Sequence, residues 1–271
     1  MADVAPGALV ALGLAGLVVG WFLNVVIVRL PDGGSLAPPW RCPDCEAAIG
    51  GLDAVPLLSF VRLRARCRAC GEPVALAYPL VELAGAGLWV AAGLRFGLTW
   101  ALVPFLLLFS ALLAQAVIDL ELYRLLDRIT FPVLGASVVL VAGVSLVEGD
   151  AGRVAYAAAG AVGYFLVLFV PGMLFPRGMG LGDVKLALLM GLYLGWIHPV
   201  LVMFALIGAC LLGVVAGGVL YVARGGRSAE FPFGPWLAVG CVATVLGSRR
   251  IVDLYDGAFT PTPFLAALGW G

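Results

Sequence analysis

The stretch Gly178–Trp196, GMGLGDVKLALLMGLYLGW, joins a glycine-rich turn to an apolar run, and Asp183 and Lys185 stand where the two meet. It belongs to a chain of 271 residues that is 63% hydrophobic and only 12% charged. Soluble domains carry about 25% charged residues, so this composition indicates a polytopic membrane protein. Because the net charge is zero and no extended basic tract is present, the sequence predicts no nucleic-acid partner.

Apolar runs long enough for membrane helices recur along the whole chain. A helix that crosses the hydrocarbon core needs about 20 apolar residues. Runs of that kind predict an all-α polytopic membrane protein with about eight transmembrane helices, at 7–28, 77–94, 100–118, 131–147, 154–175, 184–197, 199–223 and 232–247. The first run is longer than the apolar part of a typical signal peptide and has no basic residue before it, so we expect a retained helix.

Basic residues indicate the orientation of these helices. If the N-terminus lies outside, the cytoplasmic loops hold twelve of the 16 basic residues and the outside loops hold four. Membrane proteins concentrate Lys and Arg in their cytoplasmic loops. The loops around 119–130 and 176–183 are then predicted to face the cytoplasm together. We divide the chain into a first transmembrane helix (1–30), a small cytoplasmic module (31–75) and a transmembrane core (76–271).

The cytoplasmic module contains two C-x2-C pairs, Cys42 with Cys45 and Cys67 with Cys70, separated by 21 residues. Such pairs present thiolates from tight turns, and two of them can close a tetrahedral zinc site. Stable disulfides are disfavoured in the cytoplasm. The sequence therefore favours a structural zinc ion held by four cysteines, with a redox pair as the alternative.

Two acids stand at helix ends that the topology places at the same cytoplasmic depth. Asp119 closes the third apolar run and Asp183 opens the sixth. Two carboxylates that approach one another share a proton, because both cannot ionise cheaply. One can then act as a base toward water while its protonated partner polarises a carbonyl, which is the chemistry of aspartic proteolysis. From spacing alone, Asp183 can equally be the N-cap of the next helix, and Asp119 a solvated loop charge.

Glycines occupy alternate positions before the second acid, at Gly178, Gly180 and Gly182. Glycine permits positive φ and lets a neighbouring helix or a substrate strand come close. We therefore expect left-handed backbone or close packing at this turn.

Other polar residues receive structural predictions. Asp127 is expected to be the N-cap of the helix that follows it. Lys185, the only lysine, is expected to extend to the lipid headgroups. His198 is expected to be a surface turn residue, and Cys210 and Cys241 small core residues in apolar runs.

Several motifs, in order, resemble those of the prepilin peptidases, or type IV leader peptidases, a family of polytopic aspartic proteases with a G-x-G-D signature. The resemblance covers most of the chain, and one departure is Leu126, where the family usually has proline. The matching stretches are GLVVGWFLNVVIVRLP (16–31), CPDCEAAIGGLDAVPLLSFVRLRARCRACGEPVALAYPLVEL (42–83), IDLELYRLLDRITFP (118–132), GMGLGDVKLALLMGLYLGW (178–196) and FPFGPWLAVG (231–240).

The resemblance implies that Asp119 and Asp183 are the catalytic aspartates, supported by the glycines and Lys185 of the second motif. It implies cleavage of the basic leader of prepilins or pseudopilins at the cytoplasmic face of the bacterial inner membrane, with the leader near acids such as Glu121. Many members also N-methylate the new terminus with S-adenosylmethionine. Asn24 and Glu82, polar residues within matched motifs, are the candidates for that second site. The residues alone indicate no methyl-donor site, since no G-x-G-x-x-G opens a βαβ unit.

Two other functions are compatible with parts of the sequence. A proton-coupled transporter would use the membrane acids as a relay, but the acids lie at one face and no inverted repeat is found. A zinc-bound scaffold without catalysis would explain the cysteines and leave the G-x-G-D signature without a role.

Overall fold

The computed structural model describes residues 4–37, 40–42, 44–50, 57–174, 180–224 and 231–259. Gly178 of the glycine-rich turn lies outside these ranges. The helices are α1 Pro6–Arg29, α2 Leu58–Arg62, α3 Ala77–Phe96, α4 Leu102–Leu122, α5 Asp127–Val147, α6 Gly152–Leu174, α7 Leu181–Ile197, α8 Leu201–Ala223 and α9 Gly234–Phe259. Two short antiparallel strands, β1 Trp40–Arg41 and β2 Ala48–Ile49, pair within the module.

The predicted all-α membrane architecture is confirmed. A long helix occupies each of the eight predicted spans, and six of them, α1, α3, α4, α5, α6 and α8, are long and apolar enough to cross a membrane. The other two differ for identifiable reasons. α7 has 17 residues, and the second half of α9 carries two arginines and two aspartates.

Contacts divide the chain into two compact units, Met1–Ile118 and Asp119–Gly271. In the first unit α1 packs closely against α3 through a G-x-x-x-G motif. A Cβ atom at Gly16 would lie 2.8 Å from Cα of Ala86, and one at Gly20 would lie 2.6 Å from Cα of Glu82. Only glycine allows two helix backbones to approach this closely, which is the usual way that membrane helices pack. The division of the chain by membrane placement stays a prediction.

α7 is the central helix of the second unit and contacts α5, α6, α8 and α9. Twelve of its residues between Asp183 and Trp196 are buried. A Cβ atom at Gly160 of α6 would lie 2.6 Å from Cα of Gly195 of α7. Because protein surrounds α7 on every side, its apolar residues show no single hydrophobic face.

Serine hydroxyls on α5 satisfy the polar ends of the large side chains of α7. The hydroxyl of Tyr193 donates to Oγ of Ser137, and Nε1 of Trp196 donates to Oγ of Ser145, both at 2.8 Å. All four residues are buried. Each hydrogen bond therefore avoids the free-energy cost of a buried polar group without a partner. These bonds fix the rotation and the depth of α7 relative to α5.

The second unit also tests the predictions for His198, Cys210 and Cys241. His198 lies in the turn after α7, where its Nδ1 accepts from the backbone N–H of Val200. Cys241 is buried as predicted, but the prediction for Cys210 is wrong, because its side chain is exposed. α8 buries only one stripe of residues, from Leu201 to Gly213 at every fourth position, and Cys210 lies off that stripe.

Candidate active site and metal centre

Asp119 lies in the last turn of α4, and its side chain is only 5% exposed. Its Oδ2 accepts a hydrogen bond of 3.0 Å from the backbone N–H of Gly234, the first residue of α9. The N-terminus of a helix has free N–H groups and a partial positive charge, both of which favour a carboxylate. Asp119 is therefore not a solvated loop charge.

Asp183 is the third residue of α7 and is 7% exposed. The N-cap position belongs to Gly180, so the prediction that Asp183 is the N-cap is wrong. Its carboxylate instead accepts from the backbone N–H of Gly180, which is the second half of a capping box. Asp183 thus caps α7 from inside the first turn, and the cap fixes the position of its carboxylate.

The structure brings Asp119 and Asp183 together. The two carboxylates are buried in the same unit and are close enough to interact electrostatically. Leu125, in the connection between α4 and α5, packs beside Gly182 of α7 and Gly234 of α9. A Cβ atom would lie 3.0 Å from Leu125 Cβ if added at Gly182, and 3.3 Å from Leu125 Cδ2 if added at Gly234. The glycines therefore leave the room in which the two helix starts and Leu125 fit together.

At the two described glycines of the turn, Gly180 and Gly182, the expectation of left-handed backbone or close packing is met by close packing. Gly180 has φ −73° and ψ 139°, so it is not left-handed. Gly182 is a helical residue, and close packing is what requires a glycine there. Its neighbour is a side chain of the α4–α5 connection, whereas we expected a second membrane helix or a substrate.

Lys185 and Asp127 form an ion pair with Nζ and Oδ2 2.7 Å apart. Its ammonium group also lies 5.7 Å from the ring centroid of Phe131, so Lys185 has partners within the protein that the sequence analysis did not predict. The expectation that Lys185 lies at the level of the lipid headgroups stays a prediction. The prediction for Asp127 is wrong, because Leu126 occupies the N-cap position and Asp127 is the first helical residue. The pair joins the first residue of α5 to the fifth residue of α7.

The four cysteine sulfurs of the module converge. All four Sγ atoms lie within 4.8 Å of one another, and those of Cys45 and Cys67 are 3.9 Å apart. Four thiolates at about 2.3 Å from a tetrahedral zinc ion would be about 3.8 Å from each other. The cluster of Cys42, Cys45, Cys67 and Cys70 can therefore hold a metal ion, and its spacing fits zinc.

The two cysteine turns have the same backbone structure. In each, the N–H of the first cysteine donates to the carbonyl five residues later, and its own carbonyl accepts from the N–H four residues later, at 2.8–3.0 Å. The residue after the second cysteine has a positive φ, 56° for Glu46 and 75° for Gly71. The arginine before the first cysteine, Arg41 or Arg66, donates from Nη1 to the carbonyl of that residue at 3.1 or 3.2 Å.

These arginines support the metal site, and our sequence analysis missed them. The signal was present as the repeated pattern R-C-x-x-C. Backbone N–H groups also point at the sulfurs: hydrogen bonds from Cys70 and Ala69 lower the pKa of the Cys67 thiol to about 6. For Cys67, this lower pKa favours the thiolate form, which is the form that binds metals.

Asn24 and Glu82 also lie together, buried between α1 and α3 in the first unit. Their side chains are hydrogen-bonded to each other. Nδ2 of Asn24 donates to the carbonyl of Tyr78 at 3.0 Å, and Oε2 of Glu82 accepts from the N–H of Leu57 at 2.7 Å. Leu57 has φ 54°, an uncommon conformation for a leucine.

Comparison with known proteins gives two family models in succession along the chain. The model described as "Bacterial Peptidase A24 N-terminal domain" matches residues 14–96, and the "Type IV leader peptidase family" matches residues 105–218. No solved structure matches the chain.

Three relatives, all named "Prepilin leader peptidase/N-methyltransferase", show how far the similarity extends. The protein of Aeromonas hydrophila is 35% identical, over 86% of this chain and 89% of the relative. That of Myxococcus xanthus is 39% identical over 80% of this chain and 64% of the relative, and that of Burkholderia pseudomallei is 33% identical over 94% and 86%. The chain therefore belongs to the type IV leader peptidase family.

Proposed function

We propose that this protein is a prepilin leader peptidase, an aspartic endopeptidase whose catalytic residues are Asp119 and Asp183. One observation carries the proposal. Two buried carboxylates, from α4 and α7, lie within electrostatic reach of each other, and a backbone N–H fixes each of them. The relatives, which are named as prepilin leader peptidases, support prepilins or pseudopilins as the substrates.

The geometry supports hydrolysis by an activated water molecule. The ionised carboxylate takes a proton from water as its oxygen attacks the scissile carbonyl carbon, and the protonated carboxylate donates its proton to the carbonyl oxygen. The tetrahedral intermediate then breaks its C–N bond as the proton taken from water passes to the departing nitrogen. One hydroxyl of the intermediate returns its proton to the carboxylate that donated it, which leaves a carboxylic acid and restores the singly protonated pair. The N–H groups of Gly234 and Gly180 keep both carboxylates in position during these transfers.

A cleavage assay tests the dyad directly. A prepilin is co-expressed with the wild-type protein, Asp119→Asn or Asp183→Asn, and the ratio of processed to unprocessed pilin is measured. Asparagine preserves the shape of the side chain but cannot exchange a proton, so we expect neither variant to process the prepilin. The matched control is Asp253→Asn, an exposed acid of α9, which should retain activity. Processing at the wild-type rate by either dyad variant would show that the assignment is wrong.

We also propose that the metal of the cysteine cluster is a structural zinc ion, held by Cys42, Cys45, Cys67 and Cys70. Zinc would neutralise the thiolates and fold the short segments that connect the two turns. The described part of the module contains one two-residue strand pair and one five-residue helix, which are too short to be stable without such support.

N-methylation of the new terminus is the second activity that we propose, on the basis of the relatives' names. S-adenosylmethionine would supply the methyl group, and Asn24 and Glu82 are the candidates to bind it. Glu82 is a buried carboxylate that forms no ion pair with any described residue, and the methyl donor is a cation that would match it. Mass spectrometry of the processed pilin N-terminus tests this. Glu82→Gln should leave cleavage intact and remove the methyl group, whereas a methylated product from this variant would contradict the assignment.

The protein is proposed to reside in the bacterial inner membrane, with its N-terminus outside and Asp119 and Asp183 facing the cytoplasm. The six apolar helices support a membrane location, and the excess of basic residues in the predicted cytoplasmic loops supports the orientation. The alternative of a proton-coupled transporter receives no support from the relatives, which are named as peptidases.

A further inference from the structure

α2 is attached to a membrane helix at its first residue. The N–H of Leu57, at the N-cap of α2, donates to Glu82, the sixth residue of α3. Because helical side chains lean toward the N-terminus, the Glu82 carboxylate lies level with the first turn of α3. Asn24 is hydrogen-bonded both to Glu82 and to the carbonyl of Tyr78, the second residue of α3. These bonds also place the Glu82 carboxylate at the first turn of α3. α2 therefore begins beside the first turn of α3.

The length of α3 places this level in the membrane. α3 has 20 residues and is about 30 Å long, equal to the thickness of the hydrocarbon core. Its first turn therefore lies at the boundary with the headgroup layer, which adds about 5–7 Å on each side. Leu76 and Leu80, beside that turn, are exposed as expected for side chains that face lipid. This places α2 in the headgroup layer.

The exposed residues of α2 have the composition of an interfacial helix. Leu58 and Val61 are 50% and 73% exposed, and a spacing of three residues puts them on the same face. Arg62 and Arg64 are also exposed. Apolar side chains beside arginines are typical of helices that lie in the plane of a membrane surface.

The turn after α2 holds this arrangement in place. Arg64 and Ala65 have φ values of 51° and 56°, a left-handed pair in which neither residue is glycine. The N–H of Ala65 donates to the carbonyl of Phe60, and the carbonyl of Ala65 accepts from the N–H of Val74, both at 2.8 Å. The backbone that carries the two arginines is thus fixed by hydrogen bonds on both sides.

We propose that α2 is an interfacial anchor of the cysteine module. Leu58 and Val61 insert among the lipid chains next to the headgroups, and Arg62 and Arg64 bind the phosphates of anionic phospholipids. Charge complementarity favours lipid over substrate as the occupant, because a basic prepilin leader would be repelled by the arginines. That last argument rests on the proposed function, whereas the position and composition of α2 do not.

Photocrosslinking in proteoliposomes tests the anchor without any measurement of peptidase activity. A benzophenone amino acid is introduced at position 61, at position 10 in the exposed face of α1, and at position 49 in β2 of the module. We expect lipid adducts at positions 61 and 10 after irradiation, and none at position 49. The absence of a lipid adduct at position 61, when position 10 gives one, would overturn the proposal. So would a protein adduct there, to a second copy or to a co-reconstituted prepilin.

The charge of the lipid is tested in the same experiment. In vesicles with equal amounts of phosphatidylglycerol and phosphatidylcholine, the adducts at position 61 should be enriched in phosphatidylglycerol, by about fivefold for each arginine that binds a phosphate. The variant Arg62→Gln/Arg64→Gln should lose the enrichment and keep the adducts. The matched control, Arg249→Gln/Arg250→Gln, changes two exposed arginines of α9 and should keep the enrichment. Unchanged enrichment without Arg62 and Arg64 would show that these arginines do not bind anionic lipid.

Discussion

The backbone N–H of Gly234 donates a hydrogen bond of 3.0 Å to Oδ2 of Asp119, across 115 residues of sequence. The contact leaves no room for a larger residue, since a Cβ atom at position 234 would lie 2.6 Å from that oxygen. The F-P-F-G-P-W motif therefore has a physical role, which is to bring the start of α9 against the first aspartate.

Gly234→Ala should reduce prepilin cleavage by about 100-fold, because the added methyl group must displace the Asp119 carboxylate and a shift of about 1 Å has that effect on catalysis. Cleavage by purified enzyme in detergent is the measurement. Gly257→Ala, on the same helix with no atom within 4 Å of the added Cβ, is the matched control and should be as active as wild type. Equal activity of the two variants would mean that Asp119 does not depend on this contact.

The rate of cleavage should depend on pH with a bell-shaped profile. Two carboxylates that share one proton are active only with one of them ionised. At low pH both are protonated and no base remains, so the rate falls. At high pH both are ionised and no donor remains for the carbonyl oxygen, so the rate falls again. A profile of kcat/KM that rises steadily, over a range in which the protein stays folded, would contradict the shared proton.

The Lys185–Asp127 pair should contribute to positioning more than to stability. Its partners are 36% and 52% exposed, and pairs of this kind contribute at most about 1 kcal/mol. Lys185→Asp and Asp127→Lys should each slow cleavage, because Asp183 lies two residues before Lys185 in α7. The double variant Lys185→Asp/Asp127→Lys restores the opposite charges and should recover part of the rate with a nearly unchanged Tm. If the double variant cleaves no faster than either single variant, the ion pair does not position Asp183.

The sequence was sufficient to predict the features that composition and local spacing determine. Apolar runs predicted the helices, and the two C-x2-C pairs predicted a cluster that the structure confirms as able to hold a metal ion. The partners of Asp127 and Lys185 could not be predicted, because an ion pair across 58 residues depends on how α5 and α7 pack.

The role of Asp183 shows how a local pattern can be correct in kind and wrong in detail. An acid before an apolar run predicts a capped helix, and the helix is capped, but α7 begins three residues earlier than the pattern indicates. The same limit applies to Cys210, since a residue in an apolar run can face the protein or the lipid. Only the neighbours of α8 decide between the two.

Removal of the metal should affect the module and leave the rest of the chain folded. Cys67→Ser should abolish binding of one metal ion per chain, measured by elemental analysis, and make residues 40–73 sensitive to protease. Cys210→Ser changes an exposed thiol outside the cluster and should retain the metal. A full metal content in the Cys67 variant would show that the four cysteines are not the ligands.

The close packing of α6 on α7 can be tested by substituting two glycines of α6, Gly160 and Gly163. A Cβ atom at Gly160 would contact the carbonyl oxygen of Gly191 and lie 2.6 Å from Cα of Gly195, whereas one at Gly163 would meet no atom within 4 Å. Gly160→Ala should therefore destabilise the protein by about 1–3 kcal/mol, the usual cost of overpacking. Gly163→Ala should be neutral, or stabilising by up to about 1 kcal/mol, because alanine favours a helix over glycine. Thermal unfolding in detergent distinguishes them, and a similar Tm for the two variants would mean that α6 and α7 are not in close contact at Gly160.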